Sequence, residues 1–334
     1  MKCENPVIYK LRGYKDNGKM DLKYIGHMSE FCNGYDKNFD DPVFCKNNNY
    51  VVIPCGRCIC CRVNYQKQWA DRLIIASENV QYKYFITLTY DEDHIIETEV
   101  KMYNDDDDLT VGYSLVKDHI QKFMKRLRKY AEKNNKIDGK NIQYYLCGEY
   151  GDLHNRPHYH IILFNFIIDD LVHEYSKNNC EYFQSDIITK LWSKGRTQVC
   201  YINYETCAYV AGYATKKIYG KEAYKYYSDR AVIPEFCLMS RRPAIGRDLY
   251  DNNKYDIYNK DSILLLRGDK VYDIKPPRYY DKLFDIDDHK MMNDVKLARQ
   301  FHKVYYHTDK YGFDYLQTCA KNFKARQKSK KGEL

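Results

Sequence analysis

Residues 144–166 read YYLCGEYGDLHNRPHYHIILFNF, two apolar and aromatic runs separated by a break that holds Gly151, Asp152, Asn155 and Pro157. Such a pattern predicts two strands joined as a hairpin with a loop longer than two residues. His158 and His160 sit on the second run. Side chains on a strand alternate faces, so both imidazoles point to one side with their Cα atoms roughly 6.6 Å apart. One ion can accept both. Glu149, at the end of the first run, lies across the hairpin and supplies a candidate oxygen ligand, with Asp152 the alternative. A mixed nitrogen and oxygen set of this kind suits Mg or Mn better than a thiolate-preferring metal. On an ordinary half-exposed strand the same His-x-His would mean nothing.

The chain has 334 residues, 44% of them hydrophobic, enough for one large core or two modest ones. It contains no run of about 18 apolar residues, and its first residues, MKCENPVIYK, have no apolar stretch of signal-peptide length. No membrane insertion or export is expected, and the cytoplasm is the expected compartment. Net charge is only +8, but Lys and Arg gather in residues 117–140 and 321–331, and 36 tyrosines supply flat rings. Basic stripes with interleaved aromatics suit a single-stranded nucleic acid, whose charge and bases both need partners. Residues 13–19, GYKDNGK, have the spacing of a phosphate-cradling loop but lack the Ser or Thr after the lysine. They read as a turn, so no nucleotide-driven helicase activity is visible.

Thirteen cysteines, an odd number in a long chain, argue for metal or free thiols rather than a disulfide scaffold. Cys55, Cys58 and Cys61 follow a CxxCxxC spacing that suits Zn²⁺, with Cys60 an extra thiol and Cys3 or Cys45 the candidate fourth ligand. A helix is expected from about residue 64 to 78. Residues 84–90, YFITLTY, form the most strand-like run, with Ile86 and Leu88 on the face of the two tyrosines and Thr87 and Thr89 on the face of Phe85. The Thr-bearing face is expected to border a polar site. After an acidic loop at 104–108, Ser114 is the expected N-cap of a helix to about residue 133 with a basic exterior. A short helix at 185–192 and a strand at 200–203 follow. Residues 205–219, ETCAYVAGYATKKIY, place Tyr209 and Tyr213 four apart, on one side of a helix, with Lys216 and Lys217 continuing the stripe. A phenol attacks a phosphate only where its proton can leave and the phosphate charge is neutralised, which metal and lysine supply.

FITLTY, then GEYG and RPHYHIILF, then YVAGYATKK stand in one order. That order resembles the His-hydrophobic-His (HUH) endonucleases that initiate rolling-circle replication, in their two-tyrosine form. The chain is similar above all to the replication initiators of microviruses, specifically the gokushovirus group of small single-stranded DNA phages. PCGRCICCRVNYQKQWADRL, FMKRLRKY, LWSKG, MSRRPAIGRD and PPRYYDKL extend the resemblance over residues 54–284. Members often carry Gly at the position of Cys60, which supports Cys60 as the thiol outside any zinc site.

The resemblance implies an α+β fold, a central antiparallel sheet with flanking helices, bearing a Cys-rich N-terminal element and a basic C-terminal extension. The expected organisation is a Cys-rich region and helix at 1–78, an endonuclease core at 79–225 and a basic, aromatic extension at 226–334. The implied site is a divalent ion on His158, His160 and a third ligand such as Glu149, with Tyr209 and Tyr213 as nucleophiles beside Lys216 and Lys217. Zinc on Cys55, Cys58, Cys61 and Cys3 would be structural. The implied function is nicking of single-stranded origin DNA to a 5′-phosphotyrosine and a priming 3′-hydroxyl, then joining of the displaced strand into a circle. Its partners would be the host replication polymerase and helicase, in the host bacterial cytoplasm. A non-catalytic nucleic-acid-binding zinc protein explains the composition but not His-x-His and YxxxYxxKK together. A transposase or plasmid initiator of the same chemistry is the nearer rival.

Overall fold

The computed structural model describes residues 3–16, 20–31, 39, 42–103, 108–135, 137–151, 154–177, 180–213, 217–219, 221–268, 270–306 and 321–322. Most of the acidic loop, Lys19, Asp152, Lys216 and nearly all of the basic stretch 321–331 therefore lie outside the described residues. Contacts group the chain into two compact units, Met1–Tyr65 with Asp294–Leu334, and Gln66–Asn293. That grouping follows packing, whereas the threefold division above follows composition.

In the first unit, β1 (Val7–Tyr14), β2 (Met20–His27) and β3 (Tyr50–Ile53) form a three-stranded sheet with β1 in the middle. Antiparallel pairing sets Val7 opposite Ile53. Cys3 just before β1 and Cys55 just after β3 therefore leave the sheet at the same end.

The second unit is built on β4 (Lys83–Thr89), a small ribbon of β5 (Glu99–Tyr103) and β6 (Leu109–Tyr113), and the hairpin β7 (Gln143–Tyr150) and β8 (Pro157–Phe164). It continues with β9 (Val172–Lys177), β10 (Cys180–Gln184), β11 (Thr197–Tyr201), β12 (Phe236–Met239) and a second ribbon, β13 (Ile263–Arg267) and β14 (Lys270–Ile274). Seven of these strands make one sheet in the order β12-β7-β8-β4-β11-β10-β9, antiparallel throughout. The structure is thus α+β around a central antiparallel sheet.

Alternation along β4, β7 and β8 divides that sheet into two unlike faces. Ile86, Leu88, Leu146, Tyr159, Ile161 and Leu163 face a core closed by the helices Lys117–Tyr130 and Asp186–Trp192. Each such side chain, fully withdrawn from water, contributes about 1.5–3 kcal/mol. Phe85, Thr87, Cys147, Glu149, His158 and His160 point the other way, toward the helix Tyr204–Gly212, which packs on β7 and β8.

Four local expectations are corrected. Ser114 does not cap a helix: its Oγ accepts from Ile233 N at 3.0 Å and lies 3.3 Å from the Tyr150 hydroxyl, so the helix starts at Lys117 after an extended Val116. Arg126 does not face outward only, since it donates through Nε and a terminal nitrogen to the carbonyls of Leu191 and Trp192, ending the neighbouring helix. The helix expected from residue 64 begins at Ile59, because the cysteine run forms its first turn. The strand expected at 200–203 is Thr197–Tyr201, because Asn203 is used as the N-cap of the next helix.

Candidate functional site

The hairpin register sets Glu149 opposite His158 and Cys147 opposite His160, while on the other side of β8 Thr87 is opposite His160. Glu149 Oε1 lies 2.7 Å from His158 Nε2 and 3.0 Å from His160 Nε2. The carboxylate is 3% exposed and His160 5%, with His158 the more open of the two rings. Burial alone would push the Glu149 carboxyl up, but hydrogen bonds and charge from His158 and His160 outweigh it and bring it down to about 2.

The chemistry of these donors fits a cation. His158 Nδ1 lies 3.1 Å from the carbonyl oxygen of Arg156, which can only accept, so Nδ1 carries a proton. The Nε2 of a neutral His158 is then a lone pair facing a carboxylate oxygen. Only a further proton or a metal ion between them removes that repulsion, and a metal ion uses the lone pairs of both groups. His160 Nδ1 is held 3.0 Å from Thr87 Oγ1, which fixes the ring with Nε2 toward the same point. Glu149, His158 and His160 form one of two groups among the described residues that could hold a metal ion.

The tyrosines come from a helix with a strong start. The Asn203 side chain accepts from Thr206 N at 2.8 Å and the Thr206 hydroxyl accepts from Asn203 N at 2.9 Å, a complete capping box. Gln66, from the helix Ile59–Glu78, donates to the Ala208 carbonyl at 2.8 Å. A Cβ on Gly212 would come within 2.8 Å of the same Gln66 side chain, so glycine allows the close approach. Tyr209 and Tyr213 then reach His160 together. The Tyr213 ring stacks on His160 at 5.2 Å and 9°, and Tyr209 meets it edge-on at 5.3 Å. The two phenol rings are 4.8 Å apart. Their depths differ: Tyr209 is 51% exposed and Tyr213 only 3%. Burial first, then Glu149 and Tyr209, push the Tyr213 phenol well above its ordinary value.

The lysine stripe does not form as expected. The helix stops at Gly212, so Lys217 is off it, with Nζ 5.7 Å from the centre of the Tyr219 ring, and Lys216 is outside the described residues. The sequence reading missed Gln66 and the Arg156 carbonyl as supports. A glutamine inside a helical pattern and a backbone oxygen give no signal of their own.

The second group is Cys3, Cys55, Cys58 and Cys61. Cys3 rather than Cys45 is the fourth member, since Cys45 Sγ turns to the Phe39 carbonyl, and buried Cys60 is outside the group. Cys58 Sγ is 3.8 Å from Cys3 Sγ, the spacing of about 3.8 Å that tetrahedral Zn–S bonds of about 2.3 Å require. Backbone N–H groups of Cys55, Cys58 and Cys61 donate to the sulfurs of Cys3, Cys55 and Cys58 at 3.2, 3.3 and 3.4 Å. Such donors stabilise thiolates, and the set fits a closed structural site.

A sheet that carries an acid and two imidazoles under a pair of helix-borne tyrosines defines a class of phosphoryl-transfer site. Residues 83–218 match the family model for replication-associated proteins of the ORF2 type. The chain is 31% identical over 287 residues to the Replication-associated protein ORF2 of Spiroplasma virus 4, covering 84% of this chain and 80% of that one. It is 28% identical to the Replication-associated protein VP4 of Bdellovibrio phage phiMH2K, over 69% of this chain and 66% of the other. Against the Replication-associated protein ORF4 of Chlamydia phage 1 the identity is 28%, over 59% and 44%. No solved structure matches it. The chain belongs to this family of phage replication-associated proteins, of the microvirus type.

Proposed function

We propose that this protein is a rolling-circle initiator that nicks and rejoins the origin strand of a single-stranded DNA phage through tyrosine. The observation that carries the reading is the meeting of Glu149, His158 and His160 with the rings of Tyr209 and Tyr213 on one sheet face. A divalent ion, Mg or Mn, held by Glu149, His158 and His160 would neutralise charge on the scissile phosphate. The chain's own groups do the rest. The Tyr209 Oη, exposed beside His160, forms a bond to phosphorus as the bond from phosphorus to the 3′ oxygen breaks. The phenol proton is given up and the departing oxygen takes one, leaving a 5′-phosphotyrosine and a 3′-hydroxyl. The phosphodiester's energy is kept in the new ester, so the same steps in reverse join strands. Tyr213, one helical turn on, would take the second cut and so release a circle. The 3′-hydroxyl would prime a host polymerase behind a host helicase, in the host cytoplasm. Among the described residues no helix is long and apolar enough to cross a membrane. The cysteine group would hold a structural Zn²⁺.

Incubation with circular single-stranded phage DNA and Mn²⁺ or Mg²⁺ tests this. Protein covalently attached to a DNA 5′ end is expected, and retention of DNA without such an adduct would point instead to a non-catalytic binder.

A further inference from the structure

The face that carries Glu149, His158 and His160 continues past β4 onto the three strands at the far side of the sheet. Phe85 is opposite Cys200, Cys200 opposite Tyr182, and Tyr182 opposite Tyr175 on the edge strand β9. These residues share a face with the site, and from Phe85 to Tyr175 is three strand spacings, roughly 14 Å. Tyr175 and Tyr182 stack face to face, centroids 4.8 Å apart and planes 21° apart. Most other ring pairs of this unit meet tilted or edge-on, burying their flat surfaces. Here Tyr175 is 39% exposed at the margin of the sheet. It is also held in place: its hydroxyl accepts from Gln198 Nε2 at 2.9 Å. A β-bulge between Tyr182 and Phe183 brings Glu174 toward Gln198, Gln184 and Arg196, and Glu174 pairs with Arg196. Lys177, exposed and two residues beyond Tyr175, falls on the same side by alternation. The wing is linked to the nucleophile helix, since the N-cap Asn203 Nδ2 lies 3.8 Å from Cys180 Sγ on β10.

We propose that this wing, Tyr175 stacked on Tyr182 with Lys177 beside them, is a stacking subsite for a base of the single strand that flanks the scissile phosphate. The inference rests on the function proposed above and deepens it. A strand leaving the phosphate beside Tyr209 meets this surface next along the same face. A flat, pre-stacked ring accepts any base on its open side, because every base has a π-face. Glu174 balances Arg196, so the wing contributes affinity by stacking more than by charge.

The test uses the full chain with EDTA, so that no cleavage occurs, and a thymine homopolymer of about twenty nucleotides, longer than a typical single-strand site. One 2-aminopurine is moved along it. The wild type should quench the probe, Tyr175→Phe should retain the quench, and Tyr175→Ala should lose it and bind about tenfold more weakly. The dependence of binding on salt should stay unchanged, since no phosphate contact is removed. Tyr103→Ala, which removes a 65% exposed ring on the β5–β6 ribbon, should change nothing. Melting temperatures report that each variant is folded. Wild-type quench and affinity in both Tyr175→Ala and Tyr182→Ala would overturn the subsite while leaving the nicking reaction intact. An equal loss in Tyr103→Ala would overturn it too. Absence of any binding by the wild type would sink both readings.

Discussion

Tyr209→Phe should remove almost all of the first cleavage, although Tyr213 remains one turn away. Both phenols contact His160, but a scissile phosphate and its water can reach only the exposed one. To serve in place of Tyr209, the Tyr213 ring must leave a position where it is 3% exposed. A tyrosine side chain buries about 200 Å², which at about 25 cal/mol per Å² sets an upper value of about 5 kcal/mol. Allowing for the polar hydroxyl and for partial burial in the displaced state, about 2–5 kcal/mol is the range to expect. At about 1.4 kcal/mol per decade, adduct formation in Tyr209→Phe should be slower by about 30-fold to a few thousand-fold. The raised pKa of Tyr213 acts in the same direction, because less of it is available as phenolate. The assay is single-turnover formation of the covalent adduct on a labelled origin oligonucleotide with Mn²⁺. Tyr213→Phe should make the first adduct normally yet fail to release unit-length circles in a full replication reaction, and the double Phe variant should form no adduct. A first-adduct rate in Tyr209→Phe within threefold of wild type would refute the reasoning, and would make burial in the free protein irrelevant to the order of attack.

His158→Ala and His160→Ala should lose cleavage while keeping most single-strand affinity, because an ion there acts on the reacting phosphate and basic residues hold the backbone; a double variant that nicks at near wild-type rate would end the metal assignment. Glu149→Gln should weaken Mn²⁺ binding in calorimetry, and Thr87→Val, which releases His160 Nδ1, should weaken it about 10–100-fold; unchanged affinity in Glu149→Gln would move the third ligand to another residue. Elemental analysis of protein purified without chelator should find zinc, with Cys3→Ser losing both zinc and several degrees of melting temperature and Cys60→Ser losing neither.

What the sequence made legible has a common physical basis: short-range periodicity. The period of two put His158 and His160 on one face and Glu149 opposite, and the core and site faces of β4 separate at Phe85, Ile86 and Thr87 as alternation requires. The spacing of four put Tyr209 and Tyr213 on one side of a helix. Where the reading departed from the structure, a tertiary contact had claimed a residue with a strong local preference. Ser114 has the chemistry of a cap, but Tyr150 and Ile233 take its hydroxyl. The cysteines 58–61 look like a turn, yet Cys58 and Cys61, three apart, present their sulfurs from the start of a helix. The pattern of YVAGYATKK continues helically through Lys217, but the helix ends at Gly212, where Gln66 of another helix lies against it. Depth is the property that periodicity cannot carry. Tyr209 and Tyr213 are the same residue on the same face, and the difference between 51% and 3% exposure arises only when β8 is brought beneath them. The choice between the two nucleophiles is therefore a property of the packed sheet and helix, and it enters the chemistry through the accessibility of one phenol.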